Sequence, residues 1–155
     1  MNKKISIRLA THLDSENIWH WRNDNITRKM SRSTDLVDWK VHEKWFSSSL
    51  LNKKIIILLG TIEDLAESIG MIRFDLDENE KSAEISINLN PLYRDKKISK
   101  PFLEVAILYF RKIYKIPIIA EIKITNAPSI KSFEDIGFKK ISSDHSFSLY
   151  RYEQK

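Results

Sequence analysis

The chain of 155 residues contains no cysteine, only three glycines and four prolines, and no long hydrophobic run. Without cysteine, disulfides, thiolate catalysis and cysteine-ligated metal sites are all excluded. Such a composition fits a reducing compartment, and we therefore expect a cytoplasmic protein. The longest apolar run, at 55–59, is far too short to cross a membrane. The first residues also lack the apolar region of a signal peptide.

What is present indicates a globular chain with a basic surface. Hydrophobic residues make up 42% and charged residues 30% of the sequence, and the length predicts one domain over residues 1–155. The formal net charge of +5 attracts anions such as nucleotides, CoA, nucleotide-sugars or nucleic acid. The basic residues are scattered and form no patch interleaved with aromatics, so nucleic-acid binding is the least favoured of these. No two of the four histidines have metal-ligand spacing, and no metal is expected.

Hydrophobic periodicity predicts the element order β-α-α-β-β-β-α-β-α-β-β. The predicted strands are 5–9, 54–61, 68–76, 83–89, 117–124, 138–141 and 147–152, and the fifth of these reads as buried on both faces. The predicted helices are 14–23, 39–50, 101–114 and 126–136. Turns are expected at Glu63-Asp64 and at 77–80, and the polar stretch 31–38 has no predicted element. This order predicts an α/β fold with a mixed sheet and helices on its faces.

The segment 85–114 carries the strongest functional signal. A strand runs into Asn90-Pro91, a basic turn follows at 94–97, and a long amphipathic helix comes next. Free N–H groups and the helix dipole favour an anion at such a helix N-terminus. The turn has no glycine, and Pro101 biases Lys100 away from helical geometry, so the helix is expected to begin late.

Three motifs occur in order along the chain: Leu89-Asn90-Pro91 with Arg94, then 120–123 with Asn126, then the pattern from Asn126 through Ser129, Ile130, Phe133, Glu134 and Ile136 to Gly137-Phe138. Together with the element order, they resemble the GNAT family of acetyl-CoA-dependent N-acetyltransferases over nearly the whole chain. The resemblance implies a GNAT-like fold: a mostly antiparallel sheet with helices on both faces and splayed fourth and fifth strands. Stretches 21–24, 42–46 and 70–75 resemble the amino-sugar acetyltransferases of pseudaminic-acid biosynthesis and the ribosomal-protein-type acetyltransferases, and we favour the former.

The resemblance implies acetyl-CoA as co-substrate, with its pantetheine arm paired along the main chain of the fourth strand. The residues implied to contact acetyl-CoA lie on this strand, the following loop and the last helix: Ile87, Asn88, Leu89, Arg94, Asp95, Lys96, Lys97, Ile98, Ser99, Asn126, Ser129 and Phe133. Arg94, Lys97 and Ser99 stand where the family has Arg or Gln, Gly, and Gly or Ala. Lysine side chains could replace main-chain contacts to phosphate by ion pairs, and this predicts weak, salt-sensitive binding. A solvated basic turn that binds nothing is the alternative.

Acetyl transfer to an amine requires a base that removes a proton. Glu84 is the first candidate, with an exposed strand-end carboxylate as the alternative. His42 is the second, because imidazole titrates near neutral pH, although a histidine between two tryptophans is more often packed. Where the family often has a tyrosine that protonates the leaving thiolate, this chain has Phe133. Candidate acceptor-binding residues are Arg22, Trp45, Arg73 and Asp75.

Two functions from different classes follow. The first is an enzyme that acetylates a small-molecule primary amine, which the amino-sugar resemblance extends to a nucleotide-linked sugar. The second is a GNAT-like domain without turnover that binds a nucleotide-like ligand or a protein partner. Tyr150 and Tyr152 either pack on a sheet or contribute to a homodimer.

Overall fold

The computed structural model describes residues 4–63, 65 and 67–153. In chain order the elements are β1 (Ile5–Leu9), α1 (Ser15–Asn23), α2 (Asn25–Lys29), α3 (Trp39–Leu51), β2 (Ile55–Ile62), β3 (Ser68–Leu76), β4 (Ala83–Leu89), α4 (Ser99–Ile113), β5 (Ile118–Lys123), α5 (Ala127–Asp135), β6 (Phe138–Ser143) and β7 (Phe147–Tyr152). Single turns of 3-10 helix precede α1 at His12–Asp14 and follow β4 at Pro91–Tyr93. No helix in the described ranges is long and apolar enough to cross a membrane.

The strands form one sheet in the order β1-β2-β3-β4-β5-β7-β6. Neighbouring strands are antiparallel except β4 and β5, which are parallel. The pairing of β4 with β5 spans only Ala83 with Ile118 and Glu84 with Ile119. Beyond Glu84 the two strands diverge. The mixed, mostly antiparallel sheet with splayed central strands is therefore confirmed.

Helices cover both faces of the sheet, as predicted. On one face, α4 and α5 contribute Phe102, Phe110 and Phe133 to the larger hydrophobic cluster, where the ring of Phe110 stacks on that of Phe74 at 4.3 Å. On the other face, Ile18, Trp21 and Phe46 from α1 and α3 pack on Ile57, Leu59 and Met71. Burying one such side chain contributes about 1.5–3 kcal/mol. Because strand side chains alternate, Met71 and Ile72 belong to opposite faces.

The helix α2 was not predicted from the sequence. It lies just before the stretch 31–38, and Asp24 caps its N-terminus by accepting from the amides of Ile26 and Thr27, each at 3.1 Å. An Asp cap satisfies two of the amides that lack partners in a first helical turn. The five residues of α2 are too few to show helical periodicity. In the sequence, only Asp24, as a possible cap, could have indicated this helix.

The expected late start of the helix after the basic loop is wrong. The helix α4 begins at Ser99, so Lys100 is helical although a proline follows it. Pro101 is the third residue of the helix, where an N–H would have no acceptor within the helix. Its missing donor therefore costs no helical hydrogen bond, and its fixed φ suits the first turn.

The expectation that β5 is buried on both faces is also wrong. Ile118, Ala120 and Ile122 are buried, whereas the alternate residues, Ile119, Glu121 and Lys123, are only half-buried. This second face of β5 is partly open and borders the site described below. The expected turn at Glu63-Asp64 includes Asp64, which lies outside the described residues.

Candidate active site

The gap between β4 and β5 leaves main-chain groups of β4 without a strand partner. The amide of Ala83 donates to Pro117 O on the β5 side, and the amide of Asn90 donates to Ile69 O on the β3 side. Because main-chain groups alternate along a strand, those of Ile87 and Leu89 point toward β5. Register pairing of these two described strands ends at Glu84 with Ile119. The N–H and C=O groups of Ile87 and Leu89 therefore face the gap.

The loop that follows β4 is anchored by Asn90, which is buried. The side-chain amide of Asn90 donates to Ser68 O at 3.0 Å, and its carbonyl oxygen accepts from the amide of Leu92 at 3.1 Å. Asp95 and Lys97 then adopt left-handed conformations, with φ of +59° and +58°. Such a backbone usually requires glycine, because a Cβ makes it unfavourable by about 1–2 kcal/mol. The loop thus keeps a glycine-type conformation at Lys97 without a glycine.

The basic side chains of this loop differ in their exposure, and so in how freely they can contact an anion. Those of Lys96, Lys97 and Lys100 are exposed, whereas Ile98 is buried and Ser99 is half-buried. Ile98, which precedes α4, provides no side-chain cap for the first amides of that helix. Arg94 is half-buried and forms an ion pair with Asp24, and its guanidinium also donates to Thr27 Oγ1 at 3.1 Å. Burial raises the pKa of the Asp24 carboxyl, but Arg94 and the amides of Thr27 and Ile26 together hold that pKa below its usual range.

The helix α5 begins just after β5, the strand on the other side of the gap. Asn126 caps this helix, since its side-chain oxygen accepts from the amide of Ser129 at 3.3 Å. Phe133 is 2% exposed, and its ring packs edge-on against Phe138 with the centroids 5.0 Å apart. The cap leaves the amide group of Asn126 available, while Phe133 belongs to the hydrophobic cluster.

Charged side chains cover the sheet face of β3, β4 and β5 on the side of α1. Asp75 and Glu84 are register partners, and side chains at such positions lie about 5 Å apart at Cβ. The side chain of Glu84 is exposed, as the alternative of a strand-end carboxylate expects. Desolvation by the surrounding protein still raises its pKa, and the charges of Glu121 and Asp75 raise it further against the opposing effect of Arg73 and Arg32. Glu84 thus binds a proton more strongly than an ordinary glutamate.

The remaining candidate base, His42, is packed inside the α1–α3 layer. It is 3% exposed, and its ring stacks on Phe46 with the centroids 5.7 Å apart. Its Nε2 lies 2.9 Å from Ser15 O, and only a protonated Nε2 can donate to that carbonyl. Burial lowers the pKa of His42. The structure therefore favours the packed-histidine alternative.

The other candidate acceptor residues line the edge of this sheet face. Trp45 is 37% exposed and its ring lies 5.2 Å from the guanidinium carbon of Arg73. Arg73 Nε lies 2.9 Å from Asp75 Oδ1, yet neither atom is in line for a hydrogen bond. Arg22, at the end of α1, donates to Ser33 O at 3.3 Å and lies 3.5 Å from Ser31 Oγ.

Sequence reasoning missed two residues that border this face, Arg32 and Glu121. Arg32 Nε and Nη2 donate to the two carboxylate oxygens of Glu121 at 2.6 and 2.8 Å. This pair also borders a cavity of about 190 Å³ near β7. The two residues are 89 positions apart, and no local pattern in the sequence pairs them. The half-buried face of β5 was the only signal, and it was misread as fully buried.

The fold and the β4–β5 gap define an acetyltransferase-type domain, and comparison with known proteins agrees. The sequence matches the acetyltransferase (GNAT) domain family over residues 7–153. The chain therefore belongs to the GNAT acetyltransferase family. No curated protein matches the sequence.

Solved structures show the same fold at low sequence identity. A domain from Methanocaldococcus jannaschii DSM 2661 is 23% identical, with a TM-score of 0.82 and coverage of 97% of this chain and 98% of that one. The protein yncA of Salmonella typhimurium, solved with its cofactor acetyl-CoA, is 18% identical, with a TM-score of 0.75 and coverage of 96% and 93%. Spermidine N-acetyltransferase from Vibrio cholerae, solved with CoA and spermine, is 14% identical, with a TM-score of 0.82 and coverage of 95% and 92%.

Proposed function

We propose that the protein is an N-acetyltransferase that uses acetyl-CoA and acts on a primary amine bound on the sheet face beside Glu84. The observation that carries this proposal is the gap beyond Glu84, into which the main-chain groups of Ile87 and Leu89 point. Similar folds that contain acetyl-CoA or CoA with spermine support it. The absence of cysteine supports a cytoplasmic location as a further part of the proposal.

The residues around the gap fit acetyl-CoA. Main-chain N–H and C=O groups of Ile87 and Leu89 are suited to the amides of the pantetheine arm, which would pair with β4 as another strand does. The uncapped first amides of α4 and the exposed Lys96 and Lys97 suit a pyrophosphate. Arg94 is engaged by Asp24, and the lysines therefore carry most of the side-chain charge that can reach the phosphates.

The chemistry requires the amine nitrogen to form a C–N bond with the acetyl carbonyl carbon as the C–S bond breaks and CoA leaves as the thiolate. In this chain Glu84 would take a proton from the bound ammonium, directly or through water, so that the neutral amine can attack, and its raised pKa suits that role. A main-chain N–H of β4 would donate to the carbonyl oxygen as negative charge develops there. Phe133 has no proton to give, so the thiolate would take its proton from solvent.

The finer proposal for the acceptor is an amino group of a nucleotide-linked sugar. The exposed ring of Trp45 offers a surface on which a sugar ring or a base can stack.

The second candidate function is a domain that binds a nucleotide-like ligand or a protein partner without turnover. Phe133 and the loop without glycine favour this second function.

An acetyl-transfer assay tests the proposal. CoA release from acetyl-CoA is followed with a panel of amines for the wild type, for Lys97→Glu and for the control Lys139→Glu, which changes an exposed residue of β6. The proposal expects release that depends on the amine, falls at least tenfold in Lys97→Glu and is unchanged in Lys139→Glu. Binding of acetyl-CoA without release for any amine would favour the binding domain. No binding of acetyl-CoA at all would overturn the enzyme and leave only the domain without turnover.

A further inference from the structure

Three arginines converge where the end of α1 meets the sheet. Arg22 is in the last turn of α1, and Arg28 is in α2. The helix α1 contacts β3 and β4, and Arg73 of β3 lies on the same sheet face as Met71, which packs against α1. Burial lowers the pKa of Arg22, and the charges of Arg73 and Arg28 lower it further. The guanidinium of Arg22 is therefore close enough to those of Arg73 and Arg28 to be repelled by both.

Carboxylates compensate this cluster only in part. Arg22 contacts only the neutral oxygens of Ser31 and Ser33. Arg28 donates to the neutral oxygens of Asn23, Asn25 and Thr34. Among the described residues, neither Arg22 nor Arg28 has a carboxylate partner. Two guanidiniums that are held together without a counter-ion leave a local excess of positive charge.

Arg73 contributes a third, partly satisfied guanidinium. Its Nε is ion-paired with Asp75 Oδ1 at 2.9 Å, and both atoms are buried. The side chain of Arg73 is 29% exposed, and its two Nη nitrogens, which this pair does not use, remain for an additional group. Trp45 covers one face of the Arg73 guanidinium and limits the directions from which water can reach it.

We propose that Arg22 and Arg73 bind an anionic group of the acceptor, a carboxylate or a phosphate, while Glu84 faces its amine. This inference rests on the proposed acetyltransferase function and narrows its substrate to amines that are also acids. Arg73 is paired in register with Ser86, two residues from Glu84, and such diagonal positions are about 7–8 Å apart. The acidic group therefore lies a few bonds from the amine.

Matched pairs of acceptors test this assignment. Glucosamine 6-phosphate is compared with glucosamine, and 4-aminobutyrate with butylamine, because the members of each pair differ in the acidic group. We expect kcat/KM at least tenfold higher for the acidic member of one pair, and the pair that shows the preference tells phosphate from carboxylate. Equal values, or a preference for the uncharged or purely cationic amine, would overturn the proposal.

Variants connect the preference to the two arginines. In Arg22→Gln and Arg73→Gln the ratio of kcat/KM between the acidic and the neutral member of a pair should fall to near parity through a higher KM for the acidic member. Arg22→Lys retains a positive charge and should restore part of the preference. The control Arg151→Gln, at an exposed position of β7, should keep all of it. A preference that survives both glutamine substitutions would place the anion elsewhere.

A binding measurement separates this inference from the proposed function. Inorganic phosphate should raise the melting temperature of the wild type, and Arg22→Gln should reduce that shift more than Arg151→Gln does. If no amine is acetylated while this difference is present, the anion site stands and the acetyltransferase proposal fails. If amines are acetylated without discrimination and phosphate stabilises both variants equally, the anion site is overturned and the acetyltransferase proposal stands.

Discussion

The guanidinium of Arg94, in the loop after β4, is paired with the carboxylate of Asp24 at the N-terminus of α2. This pair joins the proposed acetyl-CoA loop to the segment that carries the acceptor-side arginines. Asp24 also caps α2, so one carboxylate supports both elements. Arg94 is therefore held by Asp24 in this structure, and its contact with phosphate stays a prediction.

Removing this ion pair is expected to destabilise the fold. The side chains of Arg94 and Asp24 are only 26% and 22% exposed, and Arg94→Gln should lower the free energy of unfolding by about 1–3 kcal/mol. The matched control is Arg32→Gln, because the side chain of Arg32 is 60% exposed and pairs at the surface contribute less than about 1 kcal/mol. Urea titration measures the free energy of unfolding of both variants. Equal losses in the two variants would contradict the structural role of Arg94.

The same pair has a defined pH dependence. Because the pKa of Asp24 in the folded state is held below its usual value, the stabilisation by ionised Asp24 is complete above the unfolded pKa near 3.9. It is lost as the pH falls through the lower folded value. The stability difference between wild type and Arg94→Gln should therefore be constant near neutral pH and shrink below about pH 4. A difference that grows on acidification would contradict this.

Glycine at position 97 should stabilise the loop. Lys97 adopts a left-handed backbone, and glycine would remove a penalty of about 1–2 kcal/mol, offset partly by the greater entropy of the unfolded chain. Lys97→Gly should therefore be neutral to about 1 kcal/mol more stable than the wild type. Lys96→Gly changes the preceding lysine, whose φ is not positive, and should be less stable by about 0.5–1 kcal/mol. Equal effects of the two substitutions would show that the backbone at 97 is not left-handed.

Glu84 should affect stability and activity in opposite directions. Since its pKa is raised in the fold, the folded protein binds more protons than the unfolded chain just above the usual glutamate pKa, and ionisation of Glu84 destabilises it. Glu84→Gln should therefore melt at a higher temperature than the wild type at pH 7, and the difference should vanish at low pH.

The activity of Glu84→Gln should fall by about 10²–10⁴-fold if Glu84 is the base. The acidic limb of the kcat/KM profile should also disappear. The control is Glu63→Gln, whose carboxylate pairs with Lys4 at the surface far along the chain from β4. An unchanged pH profile in Glu84→Gln would remove this residue from the mechanism.

Binding of acetyl-CoA should depend strongly on salt. The lysines at 96, 97 and 100 are exposed, and the attraction of exposed charges for phosphate is screened within about 8 Å at physiological ionic strength. Calorimetric titration should show a dissociation constant that rises steeply between low and high salt, and Lys96→Gln together with Lys100→Gln should flatten the slope. Tight binding that salt does not weaken would contradict this account of the loop.

Strands and long helices were predictable from the sequence because their periodicity reflects burial. The alternation of Ala83, Ile85 and Ile87 gave β4 its limits, and the amphipathic pattern gave the body of α4. The predicted start of α4 was wrong. A proline biases the preceding residue away from helical geometry, but Pro101 fits the first turn of a helix, and this second effect prevails. The helix α2 was missed because it is held by a cap and by Arg94, not by a hydrophobic stripe.

The site was predictable only where it is formed by main chain. The splay of β4 from β5 is what the resemblance implied, and it is confirmed. The pairs Arg94 with Asp24 and Arg32 with Glu121 join residues 70 and 89 positions apart, and no local pattern indicates them. The left-handed backbone at Lys97 was equally hidden, since a lysine rarely adopts it.

Amide hydrogen exchange along β4 tests the central claim, that acetyl-CoA binds in the gap between β4 and β5. The amides of Ile87 and Leu89 face the gap, whereas those of Ser86 and Asn88 face β3 and serve as internal controls. The account predicts that acetyl-CoA slows exchange at Ile87 and Leu89 and leaves Ser86 and Asn88 as they were. Saturation with acetyl-CoA that leaves exchange at Ile87 and Leu89 unchanged would contradict it.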